Sequence, residues 1–364
     1  MIKKSNIAFL FILLGLGYYV TISFLNNAPP LSGKENVLDI LNKLGDEMPL
    51  HYIPTTKLDS NKIKEGYNLV TRGFTNPTEK KLFENPQSRH FVCTDCHNIQ
   101  QEDPDLKESD PETRLAYVAE RKIKFLPGTT LYGTVNKNHW YNEDYFNKYG
   151  DLVVPARDTL ENAIQLCAVV CSQGRALTDI EMESVMHFLN SIGYTTKDLN
   201  MSKIENQHVS RTFEIKNPKS DLDDAARIIK SKYLDYSPAT FMKPQSIEKR
   251  GFGKTGNIQR GKQIYELSCL TCHKEGGVTN YKLHDDKLTH KHLKYWSNTH
   301  KVFSVYDITR KGTYSKNGYK PYMPNYTKER LSDQQLEDLM AYINAMAKDG
   351  TIKKKYRTIG TPSF

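Results

Sequence analysis

Two pentapeptides in this chain carry side chains that could do chemistry: Cys93-Thr94-Asp95-Cys96-His97 and Cys269-Leu270-Thr271-Cys272-His273. Two thiols three residues apart, followed at once by an imidazole, are what covalent attachment of a c-type haem requires. The thiols form thioethers with the porphyrin vinyl groups, and the histidine binds the iron from the proximal side. A zinc half-site would need a second ligand pair, and a redox dithiol of the thioredoxin kind would need a βαβ pattern around it. Because the pentapeptide occurs twice, the sequence predicts two covalently bound haem c groups. Cys93, Cys96 and His97 hold one, and Cys269, Cys272 and His273 hold the other.

Each iron needs a sixth ligand unless it is open for chemistry. Between the second motif and the end of the chain lies Lys320-Pro321-Tyr322-Met323-Pro324. This Met-Pro resembles the ligand loop of class I cytochromes c, and it marks Met323 as the expected ligand ahead of Met340, Met346, His290 and His292. The first motif has no such loop. The two cysteines left over, Cys167 and Cys171, are four residues apart in a helical pattern, so both sulfurs face the apolar stripe of Leu160 and Ile164. A disulfide between such positions is awkward, because both Cα–Cβ bonds point along the axis. A thiolate ligand to the first haem is the sharper expectation, with Met182, Met186 and His187 as competitors.

The elements that must position these groups read as helices. Ile63, Tyr67 and Val70 share a face ahead of the first motif. Asp158 and Glu161 have capping-box spacing before the Cys167/Cys171 stripe, and Thr178 and Glu181 open the next helix. Gly261, Ile264 and Tyr265 precede the second motif. Ser332 and Gln335 cap a closing helix bearing Leu336, Leu339, Tyr342 and Ile343. No strand-rich segment stands out. The fold class predicted is all-α: two class I-like cytochrome c domains in tandem, over 60–194 and 251–364. A linker over 195–250 joins them, and a tether over 26–59 precedes them.

Lys3 and Lys4 precede an uncharged run from Ile7 to Leu25, long enough as a helix to cross a bilayer core of about 30 Å. The exit at Asn26-Asn27-Ala28 is a poor cleavage site, so residues 1–25 are expected to be an uncleaved transmembrane anchor. This predicts a bacterial inner-membrane protein facing the periplasm, with a soluble periplasmic product of signal cleavage as the alternative. The formal net charge is +9, and residues 251–364 hold 20 Lys and Arg against 10 Asp and Glu. The basic excess belongs to the second haem domain and points to an acidic redox partner docking there. Nucleic acid is not an expected partner of an exported haem protein.

The stretch Thr159–Leu177, with Asn162-Ala163-Ile164, Cys167 and Gly174-x-x-Leu177 before Glu181-Met182, resembles the first domain of dihaem thiosulfate dehydrogenases. It is also similar to the haem-bearing A subunit of the sulfur-oxidation cytochrome. The resemblance covers residues 60–194. It implies His/Cys ligation of the first haem through Cys167, sulfur-anion chemistry there, with Cys167 as catalytic residue, and onward electron transfer through the second haem. The family pattern Cys-x-x-Arg-Ser-x-Asn-Gly is broken here, since Val170 replaces the arginine and Cys171 the serine. Arg121, Arg157 or Arg175 would have to serve a small anionic substrate instead. Two further readings stand beside the oxidoreductase: a non-enzymatic electron shuttle, and a dihaem peroxidase.

Overall fold

The computed structural model describes residues 29–75, 86–213, 217–243, 251–299, 303–313 and 322–347. The described residues are helical, and their only β pairings are the isolated bridges Asn36–Thr195 and His139–Tyr236. In chain order the helices are α1 (Val37–Lys43), α2 (Ser60–Arg72), α3 (Cys93–Cys96), α4 (Pro111–Arg121) and α5 (Glu143–Tyr149). Then come α6 (Leu160–Leu166), α7 (Asp179–Ser191), α8 (Lys203–Arg211), α9 (Lys219–Lys230) and α10 (Ile258–Ile264). The series ends with α11 (Leu270–His273), α12 (Lys287–Thr299), α13 (Val305–Lys311) and α14 (Asp333–Met346). This is the all-helical class that the sequence predicts.

Local signals explain many of the boundaries. Asp59 accepts from the backbone N–H groups of Asn61 and Lys62 at the start of α2, and Gly73 closes that helix at φ 82°. Thr178 with Glu181 and Ser332 with Gln335 form the reciprocal boxes that open α7 and α14. The cap of α6 is Thr159 rather than Asp158, one residue later than the spacing suggests. Asp110 caps α4, and Pro111 fills its first turn, where a missing N–H costs nothing.

The chain divides into two compact units. One joins residues 29–48 with 195–232 and packs α1, α8 and α9 around Val37, Leu41, Leu199, Val209 and Ile229. The other joins 49–194 with 233–347 and holds both pentapeptides. Inside it the same helix crossing occurs twice. α2 meets α7 at Gly66, where a β-carbon would lie 2.1 Å from the carbonyl oxygen of Ser184 and 2.8 Å from Cβ of Phe188. α10 meets α14 at Gly261, where a β-carbon would lie 1.9 Å from the oxygen of Asp338 and 2.8 Å from Cβ of Tyr342. Only glycine permits either approach.

The segment after the first motif packs into the core around the second. Leu115, Val118 and Phe125 join Ile264, Tyr265, Leu336, Leu339 and Ile343 in one cluster. The Phe125 N–H donates to the Leu267 carbonyl at 2.9 Å.

The expectation of an anchor in the inner membrane is corrected. No helix among the described residues is long and apolar enough to cross a membrane, so a single N-terminal span is not supported. Ile7–Leu25, to which hydropathy assigned it, lies outside the described residues.

Candidate functional site

The second pentapeptide is presented by a change of helical pitch. α10 runs into a π-helical turn over Tyr265–Cys269, and α11 follows directly. Such turns shift the backbone register and aim side chains where a plain α-helix would not. The His273 Nδ1–H donates to the Tyr281 carbonyl at 2.7 Å, which fixes the tautomer and leaves Nε2 as the ring nitrogen that can meet a metal. Burial lowers its pKa below the ordinary value, with the Tyr281 carbonyl opposing, so the imidazole is neutral as a ligand must be.

Cys269, Cys272 and His273 line a cavity of about 490 Å³ whose walls are largely apolar, among them Ile264, Leu283 and Leu339. Met323 lines it too. Its backbone is pinned on both sides, the N–H donating to Thr313 Oγ1 at 2.7 Å and the carbonyl accepting from the Thr313 N–H at 2.8 Å. The other sulfur and imidazole candidates are elsewhere. Met340 is buried in the core, Met346 is exposed, and His292 packs on Trp296 at 4.2 Å between centroids. His290 is fully buried, donates from Nδ1 to the Asp286 carbonyl and lies between Tyr265 and Tyr342. None of these four lines the cavity.

The first pentapeptide repeats the imidazole geometry. His97 Nδ1–H donates to the Thr129 carbonyl at 2.6 Å, and burial again lowers its pKa. Cys96 lies on the wall of the cavity that holds the second motif, as does Phe91. Burial pushes the Cys93 thiol up to about 11, Cys269 to about 12 and Cys272 to about 11, so all three keep their protons in the bare polypeptide at neutral pH.

Cys167 and Cys171 do not sit on a plain α-helix. α6 ends at Leu166, and a π-helical turn spans Cys167–Cys171, closed by the Ser172 N–H on the Cys167 carbonyl at 2.8 Å. The two thiols are electrostatically coupled to each other, and both lie within electrostatic reach of Cys96. The contact with Cys171, together with burial, drives Cys167 well above its ordinary pKa. The same contact draws Cys171 down against the effect of burial, helped by the hydroxyls of Tyr141 and Tyr322. Of the competing ligands, Met186 is buried in α7, and His187 Nδ1 accepts from the Asp59 N–H at 3.2 Å.

Two of the three arginines that would replace the missing one have side chains engaged elsewhere. Arg175 makes a two-pronged pair with Glu181 at 2.7 and 2.6 Å. Arg121 stacks over the Tyr117 ring at 3.5 Å. The Arg157 carbonyl accepts from the Trp140 N–H.

A buried ionic cluster behind His97 was not legible in the sequence. Glu102 is fully buried and accepts from Arg330 Nη1 at 2.6 Å, from Asn98 Nδ2 at 2.9 Å and from the Thr130 N–H at 2.9 Å, with Arg114 at 3.7 Å. Arg330 also donates to the Leu126 carbonyl at 2.9 Å, and its own carbonyl accepts from Arg114. Glu102 thus holds the loop whose Thr129 carbonyl orients His97, and it is held by residues from the far end of the chain. Glu102 and Arg330 are 228 positions apart, and no local pattern announces such a pair.

The donor set suits a covalently attached haem. Paired thiols, an Nε2 aimed by its own ring hydrogen bond, a thioether on the same wall and an apolar cavity of ligand size meet at the second motif. A family model for cytochrome c matches residues 258–347. The match supports a c-type cytochrome, with covalently bound haem c and a role in electron transfer. No curated protein matches the chain, and no solved structure does.

Proposed function

We propose that the chain is a dihaem c-type cytochrome that takes electrons from a sulfur oxyanion such as thiosulfate at its first haem and passes them through its second. In this reading Cys93 and Cys96 hold one haem with His97 and Cys167 as axial ligands, and Cys269 and Cys272 hold the other with His273 and Met323. The observation that carries it is the shared geometry of the two histidines. Each donates Nδ1–H to a backbone carbonyl, Thr129 for His97 and Tyr281 for His273, and so each keeps Nε2 as the ring nitrogen that can meet a metal. Cys96 on the wall of the Met323 cavity supports short-range passage between the two groups.

A haem c bound at each motif supplies a one-electron couple. The residues set the direction of flow. A thiolate at Cys167 favours the ferric state and lowers the first potential, whereas a thioether at Met323 raises the second. With haem held at both motifs, these ligands would set the gradient from the first site to the second, and the basic excess of residues 251–364 suits an acidic acceptor.

A second reading is a shuttle without its own substrate. It is favoured by Val170 at the arginine position and by the pairing of Arg175 with Glu181, which commits that guanidinium elsewhere. The peroxidase reading needs an open coordination position with an acid–base residue above it, and the Cys167/Cys171 pair near the first motif argues against it. One experiment separates these. Denatured holoprotein should retain two haem c groups per chain. Adding thiosulfate to the oxidised protein should then reduce the second haem with tetrathionate as product, a reaction lost in Cys167→Ala. Two haems without thiosulfate-driven reduction would leave the shuttle, and one haem would overturn the dihaem architecture.

A further inference from the structure

A buried amide and a buried hydroxyl tie the turn that carries Cys167 to the segment that leads into Cys93. In an α-helix the Ser172 N–H would bond the Ala168 carbonyl four residues back. Here it bonds the Cys167 carbonyl instead, at 2.8 Å, and the Ala168 carbonyl is released to other donors. These are the Gly174 N–H at 3.1 Å, Ser172 Oγ at 2.6 Å and the side chain of Gln87. Gln87 is buried, and its Nε2 donates to the Ala168 carbonyl at 2.8 Å and to the Arg175 carbonyl at 3.0 Å, which uses both amide protons. Its own carbonyl accepts from the Arg175 N–H at 2.8 Å, and its N–H donates to the Gly73 carbonyl at the end of α2. Gly174 makes room for this approach, since a β-carbon there would lie 2.2 Å from the Gln87 carbonyl oxygen and 2.5 Å from Nε2.

Ser88 carries the tie onward. Its Oγ donates to the Ser172 carbonyl at 2.5 Å and accepts from the N–H groups of His90 at 3.0 Å and Phe91 at 3.2 Å, so its proton and both lone pairs are used. The Val92 N–H then donates to Asp95 Oδ2 at 2.8 Å, inside the first pentapeptide. Directed hydrogen bonds thus run from the π-helical turn to the residues flanking Cys93. Thioether bonds at Cys93 and Cys96 place a haem relative to this segment, so a sixth ligand must be held at a set position relative to the same segment.

Resting on the Cys167 ligand reading above, we propose that Gln87 and Ser88 are positioning residues for the first haem's sulfur ligand. Gln87 holds the Cys167–Cys171 turn in its π register, and Ser88 fixes that turn against the attachment segment. One residue of register is about 100° around a helix, enough to turn a cysteine away from the site it faces.

The test uses purified holoprotein and two changes that reach the same contact from opposite sides. Gln87→Met keeps the length of the side chain and removes the amide, and Gly174→Ala crowds that amide from the turn. Wild type should show the ferric electron paramagnetic resonance of a thiolate-ligated low-spin haem. In both variants that signal should weaken in favour of other ferric species. Added imidazole should displace the remainder at about tenfold lower concentration than in wild type, because the protein's own ligand is held less well. The methionine-to-iron charge-transfer band of the other haem should stay in place. Should Gln87→Met fail to take up haem, Ser88→Ala, which deletes one oxygen, carries the same test. A wild-type signal and wild-type imidazole affinity in the variants would overturn the proposal. So would loss of the methionine band together with the thiolate signal, since that marks a general disturbance of the fold. A wild type with no thiolate signature would refute the ligand reading itself and the proposal with it, a failure visible before any variant is made.

Discussion

Replacing Arg330 with methionine tests the idea that the buried Glu102 pair is a keystone of the unit that holds both pentapeptides. Glu102 is fully buried, and burial alone would raise its carboxyl pKa. Arg330 first, then Arg114 and the hydrogen bonds, overcome this and hold it at about 2 against an ordinary 4.5. A displacement of that size corresponds to roughly 3 kcal/mol of folding stability. Removing one partner of a buried pair costs about 3–5 kcal/mol, because the remaining charge is left uncompensated. Arg330→Met also forfeits the hydrogen bond to the Leu126 carbonyl. We therefore expect urea unfolding of the holoprotein, followed by circular dichroism, to show a loss of about 3–5 kcal/mol at neutral pH. The sign of the pH effect follows from the depressed carboxyl. Its contribution is complete above 4.5 and is lost as pH falls through about 2, so the gap between wild type and variant should narrow in acid. The double variant Glu102→Gln/Arg330→Met should be less destabilised than the sum of the singles. A loss below about 1 kcal/mol, the range of an exposed pair, would refute the reasoning.

Two further outcomes follow from the same geometry. Met323→Leu should abolish the methionine charge-transfer band and lower the potential of the haem held there, because Met323 lines the second cavity and its backbone is held by Thr313; a retained band would return the ligand search to Met340 or Met346. Gly261→Ala should lower the urea midpoint by the equivalent of about 1–3 kcal/mol, since the new methyl group would lie 1.9 Å from a backbone oxygen of α14, while a neutral substitution would show that the helix crossing is looser than described.

What could be read in the sequence was contiguous. The pentapeptides, the reciprocal caps at Thr178 and Ser332 and the closing helix all rest on residues within one or two turns of each other, where spacing is geometry. Helix α4 was readable in principle from Asp110-Pro111 and the Leu115/Val118 pair, but it lay in a long polar stretch with little sustained periodicity. The π-helical turns at Cys167–Cys171 and Tyr265–Cys269 were not readable, because one residue of register is set by tertiary packing rather than by composition. The same limit applies to α2. Its buried side is Gly66, Leu69 and Val70, and Tyr67 is 41% exposed despite falling on the apolar stripe. The small residue faces the partner helix, which a hydrophobicity pattern alone ranks last.

The ionic cluster and one backbone hydrogen bond bear on why the motifs share a compact unit. In the dihaem reading proposed above, electron passage would depend on the separation of the two sites, and separation is best fixed by elements with little freedom. Between the motifs run the buried Glu102–Arg330 pair and the Phe125–Leu267 backbone hydrogen bond. Both tie residues of the 49–194 segment to residues of the 233–347 segment, and both have one end within a few positions of a motif residue, Glu102 after His97 and Leu267 before Cys269. Aliphatic contacts alone could slide by a rotamer, whereas a desolvated ion pair and directed hydrogen bonds have one good arrangement. The polar groups buried between the motifs therefore do in geometry what the Leu115, Val118 and Phe125 cluster does in free energy. The cluster holds the segments together, and the ionic and hydrogen-bonded contacts fix where each stops.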